Sequence, residues 1–215
     1  MAKLKVLIAC EYSGTVRDAF IRRGHNAMSC DILPTDVSGP HYEGDIYDVI
    51  YDGWDLMIAH PPCTYLAVSG NRWLYNKDGS KNAERWENRA EALDFVRVLM
   101  NAPINKIAVE NPVSVISSEI RKPEQIIQPW QFGDEAQKTT CLWLKNLPNL
   151  KPTKIVGKGE FTTYKSGNKM PKWYADAFRL PKAERQKLRS KTFQGIADAM
   201  AEQWGNIGKV LNETK

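Results

Sequence analysis

Two short strings hold the residues best suited to covalent chemistry. Pro61-Pro62-Cys63 follows the apolar run from Trp54 to Ala59, and Glu110-Asn111-Pro112 follows the run from Lys106 to Val109. Each run has the length of a buried strand and gives way to loop-forming residues. The pattern therefore predicts a thiol and a carboxylic acid at the same rim of one sheet. That pair suits covalent addition to a pyrimidine ring made electrophilic by protonation. A cysteine at a strand end, close to free backbone amides, is expected to have a lowered pKa. Taken singly, each string has a plainer reading: Cys63 as a small residue in a rigid turn, Glu110 as part of a capped loop. Taken together, at the ends of two strands, they point to an enzyme acting on a base.

The elements that must position these groups alternate. Lys5 to Cys10 reads as a buried parallel strand, and Glu11 to Thr15 as a turn in which Ser13 or Thr15 could cap a helix. Val16, Ala19, Phe20 and Arg23 fall at helical spacing, and Gly24 stops that helix. Asn26 to Cys30 is a second strand ending at Asp31, which completes a β-α-β unit and predicts a doubly wound α/β fold. Gly44-Asp45-Ile46 opens a short turn. Thr64 to Asn88 is polar and reads as a long mobile loop, with Arg72, Trp73 and Trp86 placed either to touch a substrate or to pack locally. Ala92, Leu93, Val96 and Leu99 mark an amphipathic helix over 89–101. A short helix is expected over 117–125, a late strand from Thr140 to Leu144, and a last helix from Phe193 to Trp204.

Charge is distributed unevenly. The 215-residue chain carries a formal +5, yet between Lys151 and Lys191 twelve Lys or Arg face only three Asp or Glu. With Trp173, Tyr174, Phe161, Tyr164 and Phe178 inside this block and Trp130 near it, the segment reads as a polyanion-binding surface or as a solvated basic face. No apolar stretch approaches the ~20 residues of a bilayer-spanning helix. Cys10, Cys30, Cys63 and Cys141 form no CxxC pair and have no His at ligand spacing, so neither a zinc site nor a disulfide framework is expected. Free thiols fit a reducing cytoplasm.

In this order the pieces resemble the DNA cytosine-5 methyltransferase family. Cys10-Glu11-Tyr12-Ser13-Gly14 stands where the family has its Phe-x-Gly-x-Gly cofactor loop, with Tyr12 replacing one glycine. Asp31 matches the acid that grips the cofactor ribose, and Asp45 of Gly44-Asp45-Ile46 the acid that contacts the adenine. Pro61-Pro62-Cys63 matches the catalytic Pro-Cys motif and Glu110-Asn111-Pro112 the Glu-Asn-Val motif. Ala136-Gln137-Lys138-Thr139 falls at the family's Gln-x-Arg-x-Arg, with Thr139 where its first arginine would stand, and Gly195 to Trp204 resembles its closing helix.

The resemblance implies a Rossmann-like S-adenosyl-L-methionine (AdoMet) methyltransferase with three parts: a cofactor-binding catalytic domain over 1–150, a reduced basic target-recognition insert over 151–191, and a C-terminal helix within 192–215. Catalysis would rest on Cys63 and Glu110 with Gln137 and Lys138. The cofactor would lie against Cys10, Glu11, Tyr12, Ser13, Gly14, Asp31, Ile32, Asp45, Ile46, His60 and Pro61. The partner would be DNA, its target base flipped or single-stranded. No metal and no membrane are implied. A monomer or small homo-oligomer in the cytoplasm of a bacterial or phage-infected cell is expected, in DNA modification of the restriction–modification type. Two alternatives stay open: a methyltransferase for another target (an N4 or N6 amino group, RNA or a free nucleotide), and a non-catalytic nucleic-acid-binding decoy.

Overall fold

A computed structural model describes residues 3–206. A seven-stranded sheet runs in the order β3-β2-β1-β4-β5-β7-β6, where β1 is Lys5–Ala9, β2 Asn26–Asp31, β3 His41–Glu43, β4 Leu56–Ala59, β5 Lys106–Asn111, β6 Gln125–Ile127 and β7 Thr140–Lys145. β1 to β5 pair in parallel, and β7 runs antiparallel to both its neighbours. This mixed, mostly parallel sheet is compatible with a Rossmann-like methyltransferase fold.

The strands are apolar throughout because both faces of the sheet are covered. Along β1, Val6 and Ile8 join one core while Leu7 and Ala9 join the other. On the first face lie helices α1 (Thr15–Arg22) and α6 (Gln194–Gly205), packing Val16, Ala19 and Phe20 with Ile196, Ala197, Met200 and Trp204. Arg22–Asp198 and Arg23–Glu202 pairs bind the two helices at their exposed edge. On the other face α2 (Ala83–Asn101) supplies Leu93, Val96 and Leu99, and the single turn α3 (Ile116–Glu119) supplies Ile116.

Three expectations change. Ser13 is not the N-cap of α1, although its Oγ accepts from the Thr15 amide at 3.3 Å, and Thr15 is the first helical residue. The N-cap is Gly14 at φ 71°, and the buried Glu11 carboxylate accepts from the Val16 and Arg17 amides. The 64–88 segment is tied down rather than loose. A 3-10 turn spans Val68–Leu74, α2 starts at Ala83, and Arg89 donates to the Tyr65 carbonyl and to Asn71 Oδ1. Arg72 lies 4.5 Å from the Trp73 ring centre and Trp86 meets Tyr75 edge-on, which is local packing. The helix foreseen over 117–125 stops at Glu119, because Pro123 forbids its continuation and Gln125–Ile127 pairs with β7.

The basic segment after Lys151 is more structured than its prolines and glycines imply. A hairpin of β8 (Phe161–Thr163) and β9 (Lys169–Pro171) leads into α4 (Lys172–Ala177) and α5 (Lys182–Ser190). Trp173, Tyr174, Phe178 and Phe193 pack edge-on along this unit, and the Arg189 guanidinium sits 4.4 Å from the Tyr174 ring centre. No helix among the described residues is long and apolar enough to cross a membrane.

Candidate active site

The strand order reverses between β1 and β4, and open α/β sheets bind ligands beyond the carboxyl ends of the strands at such a point. Those ends carry the residues singled out by sequence. β1 delivers Cys10 and Glu11, β4 delivers His60 to Cys63, and β5 delivers Glu110 and Asn111. The loops are joined by hydrogen bonds: the His60 amide donates to the Ala9 carbonyl at 2.9 Å, and Asn111 Nδ2 donates to the Pro61 carbonyl at 2.8 Å. The Glu-Asn string thus fixes the Pro-Pro-Cys string from the adjacent strand.

Glu110 accepts from His60 Nδ1 at 3.1 Å, with both side chains largely buried. Burial works against charge on the acid, but the His60 hydrogen bond, the Lys138 ammonium and the Thr140 hydroxyl outweigh it and hold the carboxyl below its ordinary range. Glu110 takes up Nδ1 of the His60 ring, which leaves Nε2 as its other nitrogen. That nitrogen is buried and has no hydrogen-bond partner, as is Asn111 Oδ1. Buried polar atoms are normally paired, so two orphans on these loops mark places for ligand atoms.

The expected low pKa at Cys63 is not found. Desolvation of the thiol and the nearby Glu110 carboxylate push it above the ordinary thiol value, while the Lys138 and Arg189 cations pull it back. The residue as a whole is exposed. Arg189 was not foreseen, because it comes from α5, far along the chain from the motifs. The only signal available in the sequence was the absence of an arginine at Thr139.

Beside these residues lies a cavity of about 340 Å³, lined by Cys10, Glu11, Tyr12, Ser13, Asp36 and His60 from the sheet side. Its volume is that of a small-molecule or cofactor site. Cys10 is held at φ 58°, a left-handed conformation unusual for a non-glycine residue, where the chain turns off β1. Its thiol is pushed far up by burial and by the Asp31, Cys30 and Asp45 charges, so it is not a nucleophile at neutral pH. Asp31 and Asp45 therefore lie close by, although neither lines the cavity. Asp31 Oδ1 accepts from the Leu33 amide, and Asp45 caps the turn at Ile46–Asp48.

The other named residues divide. Glu11 lines the cavity but spends its carboxylate on the amides of α1. Ile46 is buried in the core, Ile32 is exposed, and Gly14 and Pro61 shape the backbone. Lys138 reaches the site, whereas Gln137 offers its carbonyl to the Trp173 indole and is otherwise unconnected to it. Among the described residues no group of three or more His, Cys, Asp or Glu is placed to hold a metal ion.

A scan against family models finds no match, and a search of curated proteins finds none. Among solved structures, the chain is similar to a protein provisionally described as a DNA modification methyltransferase encoded within a prophage, from E. coli. The two share 14% identity at a TM-score of 0.47, over 72% of this chain and 52% of that one. The chain therefore matches about half the length of that structure.

Proposed function

We propose that this protein is an AdoMet-dependent methyltransferase that adds a methyl group to C5 of cytosine in DNA through a covalent Cys63 adduct. One observation carries the reading: an accessible cysteine and a buried, ionised glutamate stand on adjacent strand ends at the sheet's switch point, beside a cofactor-sized cavity. The residues around that cavity fit AdoMet. Asp31 and Asp45, near the cavity without lining it, suit hydroxyl and amino donors, and the orphaned His60 Nε2 suits a polar group of the amino-acid part.

In the free protein the proton rests on sulfur rather than on Glu110, since the thiol is raised and the acid depressed. A base seated against Glu110 excludes water from the carboxylate and favours its protonated form, so the thiol proton is transferred towards N3. The Cys63 sulfur then bonds to C6, and electron density gathers at C5. AdoMet, when bound, supplies the methyl group. A base takes the C5 proton as the sulfur–C6 bond breaks, and the proton held at N3 returns to the departing thiolate, which restores the thiol. Lys138 and Arg189 stabilise the thiolate as it forms. The base must leave the duplex to reach Cys63, and the arginines and aromatics of α4 and α5 suit a displaced or single strand.

The test uses DNA containing 5-fluorocytosine and AdoMet carrying a labelled methyl group. Fluorine does not leave as the proton does, so the expected result is a denaturation-resistant, labelled complex that disappears in Cys63→Ala. Full methyl transfer by Cys63→Ala would overturn the reading.

A further inference from the structure

The far wall of the cavity comes from the basic segment that sequence reasoning assigned to target recognition. Glu184, Lys187, Leu188, Ser190, Lys191 and Thr192 face Cys10 to Ser13 and His60 across it. Contacts hold this wall in place: Lys187 pairs with Asp36, Tyr12 Oη and Ser190 Oγ are 3.1 Å apart, and Lys138 Nζ donates to the Lys191 carbonyl. The cavity is therefore roofed by α5.

The charges at this covered end are mostly neutralised. The Glu11 carboxylate is occupied by the amides of α1, and Asp36 by Lys187. Lys191 has no ion-pair partner among the described residues, and Glu184 lies seven positions away along α5, about 10 Å at helical rise. His60, whose buried Nε2 has no hydrogen-bond partner, lines the same cavity. A cation and an unpartnered ring nitrogen from residues lining one cavity complement the carboxylate and ammonium of an α-amino acid. The acids Asp31 and Asp45 lie outside this covered end, where a carboxylate would be repelled and ribose hydroxyls or an adenine amine welcomed.

We propose that α5 and the residues after it complete the cofactor site, covering its amino-acid end, with Lys191 pairing the cofactor carboxylate and His60 Nε2 accepting from its ammonium. The inference rests on the AdoMet reading and gives α5 a second task besides carrying Arg185 and Arg189. Cofactor orientation follows from it: adenosine towards β2 and β3, amino acid beneath α5.

Calorimetry on the full chain tests it with two ligands, S-adenosylhomocysteine and 5′-methylthioadenosine, which keeps the adenosine and sulfur but lacks the amino acid. Lys191→Ala is expected to weaken S-adenosylhomocysteine about tenfold while changing methylthioadenosine less than about twofold, and Lys191→Arg to restore part of the loss. Lys182→Ala, on the same helix but away from the cavity, should alter neither; circular dichroism checks that each variant is folded. Equal loss for both ligands, or no loss for either, overturns the assignment. Failure of the wild-type protein to bind S-adenosylhomocysteine overturns the AdoMet reading, and this inference with it.

Discussion

His60 and Glu110 are fifty positions apart in the chain, yet Nδ1 of one meets Oε2 of the other at 3.1 Å across two parallel strands. The pair keeps the acid ionised and so keeps a negative charge beside Cys63. A negative neighbour raises a thiol's pKa, and removing the charge lowers it. Glu110→Gln should therefore make Cys63 more reactive in the free protein. Its rate-against-pH curve for iodoacetamide alkylation should move to lower pH, while methyl transfer falls by at least about a hundredfold. An unchanged curve would show that Glu110 does not act on the thiol.

The cations near the thiol act in the opposite sense. Arg189→Ala removes a charge that stabilises the thiolate, so alkylation of Cys63 should require higher pH than in wild type. Arg185→Ala is the control, since that guanidinium sits over Phe178. Both are read by mass spectrometry of the alkylated Cys63 peptide.

Arg17 is fully buried, and its guanidinium donates to Ser29, Thr35 and the carbonyls of Val37 and Ser38, besides pairing with Asp18. It thereby holds the loop from which Asp36 reaches Lys187. Arg17→Met removes all of these hydrogen bonds between α1 and the 35–38 loop and should cost roughly 1–3 kcal/mol in urea unfolding. It should also speed proteolysis within α5, because Asp36 is no longer held in place.

Gly195 lies in the first turn of α6, where a side chain has no room. A Cβ there would collide with the Phe132 carbonyl and come within 2.8 Å of Asp134 Oδ2, which already accepts from the Gly195 amide at 2.9 Å. Gly195→Ala should destabilise the protein by roughly 2–4 kcal/mol, seen as a lower thermal midpoint.

The sequence made β1, β2, β4, β5 and β7 legible because each is an apolar run ended by turn chemistry. It also placed Cys63 and Glu110 on one rim, since parallel strands put their carboxyl ends together. It hid what depends on contacts between distant segments. Ser13 is a good cap by local rules, but Glu11 outcompetes it once the turn brings its carboxylate to the α1 amides. The short strand β6 carries too few residues to show a period, and it exists only because β7 pairs with it. α5 contains no buried residue, so no apolar stripe announced that it would roof a cavity. The pKa of Cys63 was misjudged for the same reason: neighbouring amides can be inferred from local sequence, but the Glu110 charge and the desolvation cannot.

The packing of α1 against α6 has a consequence for the order of events during synthesis. The groove that Val16, Ala19 and Phe20 offer is filled by residues some 180 positions later, and the slot between β5 and β6 waits for β7. A nascent chain lacking α6 exposes an apolar face, so folding on the ribosome would stall at a half-covered sheet that needs a chaperone or prompt release. A stop ahead of Gln194 should yield aggregate rather than a smaller working domain.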